Sequence, residues 1–250
     1  MARTPRLFGC SGFYHVILRG NNRQNLFVDD ADRSFFVGKL KKYSGELAVV
    51  VHAYCLMNNH VHILIGNVKE NETLSLLIQK IANSYVFYFN RKYDRCGHLF
   101  QGRFKSEPIL DDVYFKTVYR YILQNCEKAG LGNARQYRWN SFWALKDHEK
   151  NDFVDVEYVI GLFNSKKELL DFLNQREEQK CMEYENILVF SDDRAIKLIK
   201  KIFRISSPYK LERLTIDDQI SKCGILKKKG LSISQISRIT GISRVIVKKS

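Results

Sequence analysis

Two histidines separated by one residue, His60 and His62, form the sequence feature with the clearest chemical potential. Alternate residues of a β-strand point to the same face of a sheet, so the two imidazoles are expected to project together. Adjacent imidazoles are suited to binding a divalent metal ion. Taken alone, the His-Val-His pattern is also compatible with two solvated histidines on an exposed sheet face.

A second pair of polar residues lies on a predicted helix, where Tyr121 precedes Asn125 by four positions. Residues four apart share one face of a helix, so the phenol is expected to lie near a metal that takes Asn125 Oδ1 as a ligand. Tyr119 points about 200° away from Tyr121 at helical spacing and is predicted to be a packing residue. Without further context, the favoured interpretation of Tyr121 is a buried aromatic.

Periodicity and turn residues predict the elements that must position these groups. Strands are predicted at residues 14–19, 47–57, 60–65 and 102–109, and helices at residues 30–43, 74–93 and 111–125, with Thr73 as an N-cap. The Asn58-Asn59 pair predicts a hairpin. The order β-α-β-β-α-β followed by a helix is typical of an α+β, ferredoxin-like fold. It predicts an antiparallel sheet with two helices on one face, while the last helix lies across the open face or an edge.

Four segments carry a family resemblance. They are LMNNHVHILI at 56–65, HLFQGRFKS at 98–106, YILQNCEKAGL at 121–131 and YRWNSF at 137–142. In this order they resemble the single-tyrosine HUH transposases, above all the REP-associated tyrosine transposases, which are relatives of the insertion-sequence-200-like group. The resemblance extends from Tyr14 to Leu162. Four motifs in the expected order are more specific than any one of them.

The resemblance implies that His60, His62 and Asn125 bind a metal and that Tyr121 is the nucleophile. It implies cleavage and rejoining of single-stranded DNA through a covalent 5′-phosphotyrosine intermediate. The expected ion is Mg²⁺ or Mn²⁺, because Mg²⁺ is abundant in cells and a site of two histidines, one asparagine and waters accepts Mn²⁺. The family usually has proline after the asparagine, whereas this chain has Cys126, which changes no catalytic group.

The charge distribution predicts contacts with nucleic acid. The net charge is +14, and residues 200–250 hold +10 of it, which suits a polyanionic partner. Three domains are predicted: a transposase and nuclease domain at 1–145, a helical appendage and linker at 146–200, and a basic DNA-binding module at 201–250. The candidate DNA contacts are Arg103, Lys105, Lys227, Lys228, Lys229, Arg244, Lys248 and Lys249. Arg103 and Lys105 are alternatively exposed strand charges, or groups that stabilise the Tyr121 phenolate.

The C-terminal pattern resembles a helix-turn-helix. Ser232 and Gln235 have capping-box spacing, Gly241 suits a tight turn, and Ser243 is placed to cap a second helix. Further helices are predicted at residues 154–174, 195–203 and 216–229. A small basic helical bundle without a role in reading the DNA groove is the alternative.

Two other function classes stay open from the sequence. One is a non-catalytic nucleic-acid-binding regulator, because RNA-binding sheets of this topology stack bases on strand aromatics. The other is a rolling-circle or relaxase nickase, which shares the two-histidine motif. With no apolar run of membrane-spanning length and no signal-peptide pattern, a cytoplasmic protein with reduced cysteines is expected. The expected partners are single-stranded and hairpin DNA, and the sequence leaves monomer and homodimer open.

Overall fold

The computed structural model describes residues 11–146, 153–175, 181–182, 192–229, 231 and 233–250 of the 250-residue chain. The chain divides into two compact units, Met1–Tyr184 and Glu185–Ser250. The first unit combines a sheet with helices, and the second is helical in its described part. This α+β architecture with a helical C-terminal region is the fold class that the sequence predicts.

The first unit is built on a four-stranded antiparallel sheet with the strand order β2-β3-β1-β4. The strands are β1 (Phe13–Arg19), β2 (Val50–Leu56), β3 (His60–Gly66) and β4 (Lys105–Ile109), and the principal helices are α1 (Asp30–Glu46), α2 (Asn71–Lys92) and α3 (Asp112–Lys128). Their order along the chain is the predicted β-α-β-β-α-β followed by a helix. The ferredoxin-like prediction is therefore confirmed.

The connection between β2 and β3 is the predicted tight hairpin. The Met57 amide donates to the His60 carbonyl at 2.8 Å across the Asn58-Asn59 pair. This turn fixes the register of β3, so it determines which residues of the HVH motif face each side of the sheet. Val61 is fully buried on one side, and His60 and His62 lie on the other.

Several predicted boundaries are wrong: α1 ends at Glu46 rather than at residue 43, and β2 begins at Val50 rather than at residue 47. Two others are wrong for local reasons. Helix α2 begins at Asn71, with Glu70 as its N-cap, so Thr73 lies inside the helix. The first three residues of α2 are polar and none is buried. The spacing of apolar residues therefore cannot indicate where this helix begins. Strand β4 begins at Lys105 rather than at residue 102, because Gly102 has a φ of 61° that a strand does not accommodate.

Helices cover both faces of the sheet. Helices α1 and α2 pack together, while α3 packs against β2, β3 and β4. Tyr14, Val16 and Leu18 of β1 are buried on the opposite side from the histidines, as strand alternation requires. Of the two placements predicted for the last helix, the structure shows the one across the face of the sheet.

Helix α1 begins at a capping box. The Asp32 amide donates to Asp29 Oδ1 at 3.0 Å, and the Asp29 amide donates back to Asp32 Oδ2 at 3.2 Å. The fully buried Asp32 carboxylate also accepts from Lys92 Nζ at 2.7 Å and from the Tyr93 hydroxyl at 2.8 Å. These hydrogen bonds tie the start of α1 to the end of α2 in the layer below the sheet.

The segment after α3 contains short helices, α4 (Trp143–Lys146), α5 (Glu157–Gly161) and α6 (Lys166–Asn174). One continuous helix at 154–174 is therefore wrong, because Ser165 caps a new helix by accepting from the Glu168 amide at 3.1 Å. Helix α6 is bonded to α3: Gln124 Nε2 donates to the Leu173 carbonyl at 2.9 Å. Arg120 Nη1 donates to the Phe172 carbonyl at 3.2 Å. This segment thus holds the outward side of α3.

The second unit contains α7 (Asp192–Phe203), a 3₁₀ helix at Pro208–Arg213, α8 (Ile216–Lys228), α9 (Ile233–Thr240) and α10 (Arg244–Lys249). Their apolar sides share a core that includes Ile199, Leu226, Ile236 and Val247. Gly241 turns the chain at a φ of 80°, and Ser243 caps α10 by accepting from the Ile246 amide. The helix, turn and second helix lie where they are predicted, and Ser232 lies outside the described residues.

Cysteine and membrane predictions are checked on the described part of the chain. Cys55, Cys126, Cys181 and Cys223 are buried, Cys96 is exposed, and none of these described cysteines is in a disulfide, whereas Cys10 lies outside the description. Among the helices described, none combines the length and the apolar character that crossing a bilayer demands.

Candidate active site

Strand pairing places the two histidines of the HVH motif on the face that α3 covers. In the antiparallel register, Ile17 lies opposite His62 and Arg19 lies opposite His60. The two imidazole centroids are 5.0 Å apart, with the rings inclined at 75°. His62 is only 2% exposed and His60 is half-buried, so the pair spans the border between the interior and the surface.

Helix α3 places Tyr121 against this pair. The ring centroid of Tyr121 is 5.7 Å from that of His62, and the tyrosine is 1% exposed. Asn125 follows one helical turn later, where its Nδ2 donates to the Tyr121 carbonyl at 2.8 Å. The structure therefore gathers His60, His62 and Tyr121 in one place, with Asn125 on the adjoining turn, although they come from separate segments.

The donor atoms of this set fit a divalent metal ion. His60 Nδ1 bonds to Asn59 Oδ1 at 2.7 Å, so a metal would be bound through Nε2. Asn125 uses Nδ2 for its hydrogen bond, which leaves Oδ1 as the ligand atom. Burial, followed by the charges of neighbouring His15 and His60, lowers the pKa of His62 well below its usual value. The neutral imidazole that results is the metal-binding form.

The proposed set differs from an ordinary histidine, cysteine and carboxylate cluster. No group of three or more such residues is arranged for a metal in the part of the chain that the structure describes. A site made of His60, His62 and Asn125 has only two of them, and a carboxamide oxygen is its third ligand. A site of this composition leaves coordination positions for water or phosphate, as a catalytic ion requires.

Sequence reasoning misses the part that His15 plays. His15 lies outside the four motifs, yet it is fully buried and its Nε2 lies 2.9 Å from His62 Nδ1. On its other side, His15 Nδ1 lies 3.9 Å from Glu107 Oε2 of β4. Strand alternation could have indicated this position, because His15 lies two residues before Ile17, the partner of His62, and therefore on the same face of the sheet.

The Glu107 carboxyl beside His15 is half-buried. Burial alone would raise its pKa, but the neighbouring His15 and then the Tyr114 hydroxyl hold the pKa below its usual value. Burial lowers the pKa of His15 more than the neighbouring Glu107 raises it. A carboxylate therefore faces a neutral imidazole across this gap.

His52 also lies on a strand, but it belongs to a different environment. Its Nδ1 is 3.2 Å from the Asp155 carbonyl and 3.7 Å from Asp155 Oδ2. Its ring packs against those of Phe13, Phe115 and Tyr158 at centroid distances of 5.4 Å. His52 is therefore a packing residue.

The cation that lies against Tyr121 is Lys128, which the sequence analysis does not predict. Lys128 Nζ lies 4.3 Å from the centroid of the Tyr121 ring, which is a cation–π distance. Lys128 follows Tyr121 by seven residues, so helical periodicity already places both on one side of α3. Lys105 is half-buried and pairs with Ile17 on the histidine face. Arg103 is exposed in the loop before β4, so its predicted strand position is wrong.

The basic residues of the second unit that are predicted to contact DNA differ in how accessible they are. Lys227 Nζ donates to the Ser250 carbonyl, so it joins α8 to the end of α10. The side chain of Lys228 lies outside the described residues. The predicted DNA contacts of this unit that are exposed are Lys229, Arg244, Lys248 and Lys249. Three of these four lie on α10, the second helix of the helix-turn-helix pattern.

Comparison with known proteins gives a family for the first unit. Residues 10–125 match the family described as IS200-like transposases, a segment that runs from β1 to the Asn125 turn of α3. The relationship that the four motifs indicate is thereby confirmed for residues 10–125, just under half of the chain. No curated protein matches the sequence.

Among solved structures, a REP-associated tyrosine transposase bound to a REP hairpin is similar, with 13% identity and a TM-score of 0.53. The match covers 74% of this chain and 96% of that chain, and it supports the fold. A crystal structure of a candidate transposase from Deinococcus radiodurans R1 matches with 16% identity and a TM-score of 0.35, over 49% of this chain and 92% of that one. The family match over residues 10–125 supports a DNA-processing role of the transposase kind.

Proposed function

We propose that this protein is a divalent-metal-dependent HUH nuclease and strand transferase that cuts single-stranded DNA with Tyr121. The supporting observation is that α3 holds the Tyr121 ring 5.7 Å from the ring of His62, next to a set of donors that fits a metal ion. A pure nucleic-acid-binding protein has no need of a phenol, two imidazoles and a carboxamide converging there. The cytoplasm is the proposed location.

The proposed chemistry exchanges one phosphodiester for another. Tyr121 Oη attacks the scissile phosphorus, the bond from phosphorus to the 3′ oxygen breaks, and the phenolic proton is lost to solvent. The departing oxygen takes up a proton and leaves as a 3′ hydroxyl, while the 5′ phosphate stays on the tyrosine. A 3′ hydroxyl can later attack this phosphotyrosine and rejoin the strand. No external energy source is needed, because one phosphoester bond replaces another at each step.

Each protein group has a distinct task in this proposal. His60, His62 and Asn125 hold the ion, which when bound supplies Lewis-acid polarisation of a phosphoryl oxygen. Lys128, 4.3 Å above the Tyr121 ring, brings positive charge to the side where phenolate character develops. Lys105, on the histidine face of β4, is placed to contact a phosphate oxygen of the bound strand.

The second unit is proposed to bind duplex or hairpin DNA beside the cleaved strand. Arg244, Lys248 and Lys249 are exposed on α10, and its position after Gly241 is that of a recognition helix. Lys229 and Arg103 are proposed as further phosphate contacts. The similar REP-associated transposase is bound to a REP hairpin, which makes hairpin DNA with an unpaired flank the substrate to test first.

The non-catalytic alternative requires an accessible sheet surface. RNA-binding sheets of this topology stack bases on exposed strand aromatics. Here α3 packs across the face that carries the histidines, and α1 and α2 lie below the other. This covering favours the nuclease over a base-stacking regulator.

The decisive experiment uses hairpin-containing single strands labelled at either end, with Mn²⁺ or Mg²⁺, and separation under denaturing conditions. A covalent adduct that carries only the 3′-labelled fragment, together with a free 5′-labelled fragment ending in a 3′ hydroxyl, is expected. Binding with neither cleavage nor adduct in both metals would instead support the regulator. An adduct that carries the 5′-labelled fragment would refute the proposed polarity.

A further inference from the structure

Two buried histidines and a half-buried glutamate form a line across three strands of the sheet. His62 of β3, His15 of β1 and Glu107 of β4 follow one another on the face that α3 covers. His62 Nδ1 lies 2.9 Å from His15 Nε2, and the two imidazoles are stacked with centroids 5.2 Å apart. His15 Nδ1 then lies 3.9 Å from Glu107 Oε2. The line ends on the ring that is proposed to bind the metal.

The contact between the two histidines needs one hydrogen, and the direction of donation has consequences at both ends. If His15 donated through Nε2, its Nδ1 lone pair would face the Glu107 carboxylate without a donor between them. If His62 donates through Nδ1, His15 carries its hydrogen on Nδ1, directed at that carboxylate. His15 Nδ1 and Glu107 Oε2 have no hydrogen-bond partner among the described residues, so only the second arrangement brings a donor to an acceptor.

The direction of this hydrogen bond also determines whether His62 Nε2, on the side away from His15, carries a lone pair. An imidazole that donates through Nδ1 carries its lone pair on Nε2. His60 reaches the same state by a local route, because its Nδ1 bonds to Asn59 Oδ1 of the hairpin at 2.7 Å. Both histidines of the motif are thus held through Nδ1, one by its sequence neighbour and the other by a histidine of the adjacent strand β1.

We propose that Glu107 and His15 are positioning residues that hold His62 in the Nδ1–H tautomer, so that its Nε2 lone pair is directed to the divalent ion. The inference rests on the proposed metal-dependent function. It assigns no contact with DNA to either residue. Groups behind a ligand orient the ligand and raise its basicity, and their loss typically lowers metal affinity about 10- to 100-fold.

The test measures Mn²⁺ affinity in the absence of DNA, from the electron paramagnetic resonance signal of free Mn²⁺. His15→Leu removes the acceptor for His62 Nδ1 and is expected to weaken binding about 10- to 100-fold. His15→Gln restores an amide oxygen near the former Nε2 position and is expected to recover most of that loss. Glu107→Leu is expected to weaken binding, whereas Glu107→Gln keeps an acceptor for His15 and recovers it.

A second buried histidine next to a partly exposed carboxylate supplies the matched control. His52 Nδ1 lies 3.7 Å from Asp155 Oδ2 on the same sheet, and it packs against Phe115 rather than against His62. His52→Leu should therefore change stability while leaving Mn²⁺ affinity within about twofold, because it removes no group from the line. Equal losses of affinity in His52→Leu and His15→Leu would overturn the proposal, since general loosening of the sheet would explain both.

The tautomer itself can be read in the unaltered, metal-free protein by long-range ¹H–¹⁵N correlation of the histidine rings. A protonated Nδ1 on His62 supports the proposal, and a protonated Nε2 overturns it, even if His15→Leu does not fold. Wild-type affinity in a folded His15→Leu variant, or failure of His15→Gln to recover affinity, overturns it as well. Absence of Mn²⁺ binding in the wild type would refute the metal site, whereas metal binding with the Nε2–H tautomer would refute this inference alone.

Discussion

Tyr121 meets His62 edge to face, with ring centroids 5.7 Å apart and planes inclined at 76°. This geometry lies within the range of favourable aromatic packing, and it gives the phenol a fixed place beside the imidazole. Both side chains are almost fully buried. The pair therefore combines a packing contact with the chemical arrangement on which the proposed reaction depends.

Replacing Tyr121 by phenylalanine should abolish the covalent protein–DNA adduct. The ring and its packing against His62 are retained, but the attacking oxygen is gone. Binding to a single strand should stay within about twofold, since most affinity comes from phosphate contacts elsewhere. Denaturing gels report the adduct, and fluorescence anisotropy reports the binding. An adduct that persists in Tyr121→Phe would remove this residue from the mechanism.

Tyr119 offers a matched control two residues away on the same helix. It is 1% exposed, and its hydroxyl has no hydrogen-bond partner in the described part of the chain. Tyr119→Phe should leave adduct formation unchanged. It should also raise the free energy of unfolding by about 1 kcal/mol, because an unsatisfied buried hydroxyl is removed. Urea denaturation measures the second effect, and a loss of adduct in this variant would show that the phenol assignment is misplaced.

His60→Ala and His62→Ala should each lower metal-dependent cleavage by at least about 100-fold. Several kcal/mol of transition-state charge stabilisation depend on the ion, and each 1.4 kcal/mol corresponds to about a factor of ten. Cleavage is followed under single-turnover conditions while Mn²⁺ is titrated. His98→Ala, which removes an exposed imidazole outside the site, is the control and should behave as wild type. Cleavage at the wild-type rate in both HVH variants would exclude the metal site.

Most of the fold can be predicted from the sequence because its signals are local. Strand alternation, the Asn58-Asn59 turn and the apolar face of α3 are each visible within a few residues. The start of α2 cannot be placed in this way, because its first turn, which begins at Asn71, buries no side chain. The break between α5 and α6 depends on the Ser165 cap, which an apolar period spanning both helices hides.

The candidate site is predictable only in part. His60 and His62 are two residues apart, and Tyr121 and Asn125 are one turn apart, so local geometry already groups each pair. His15 and Glu107 cannot be assigned in this way, because their relation to His62 depends on three strands meeting in one register. Lys128 is a different case, since its helical spacing from Tyr121 is visible in the sequence and is easily overlooked.

The α10 cations should account for a measurable part of the salt dependence of DNA binding. Changing Arg244, Lys248 and Lys249 together to glutamine should weaken binding to hairpin DNA. The slope of log K against log salt should fall by about 0.9 for each phosphate of duplex DNA that is no longer neutralised. The control changes Lys166 and Lys167, exposed on α6, to glutamine and should leave the slope intact. An unchanged slope in the triple variant would exclude α10 from the DNA interface.

Asp32 should be important for the stability of the first unit. Asp32→Ala should lower its free energy of unfolding by about 2–3 kcal/mol, because two backbone amides, Lys92 and the Tyr93 hydroxyl lose an acceptor. Asp30→Ala removes a surface carboxylate that is 62% exposed, and it should change stability by less than about 1 kcal/mol. Urea titration at pH 7 compares the two variants, and equal losses would show that the buried network is unimportant.

The same residue predicts a pH dependence. Burial opposes ionisation of Asp32, but the hydrogen bonds from Lys92 and then from the Val28 amide outweigh it, and they lower the pKa below the usual 3.8. A depressed folded pKa means that the stabilising contribution is complete above 3.8 and is lost as the pH falls from there through the folded pKa. The stability difference between wild type and Asp32→Ala should therefore shrink on acidification below pH 3.8. A constant difference across that range would contradict the prediction.

The hydrogen bonds from Arg120 and Gln124 to the end of α6 affect how small a working enzyme can be. These side chains lie one turn apart on α3, on either side of the tyrosine in sequence, and their acceptors are the main-chain carbonyls of Phe172 and Leu173. A fragment that stops at residue 146 keeps every proposed catalytic group, but it removes α6 from the outer side of α3, the helix that carries the proposed nucleophile Tyr121. The shortest autonomous nuclease should accordingly extend beyond α6. Truncations designed on motif boundaries alone would remove the hydrogen bonds that hold α3 on its outer side.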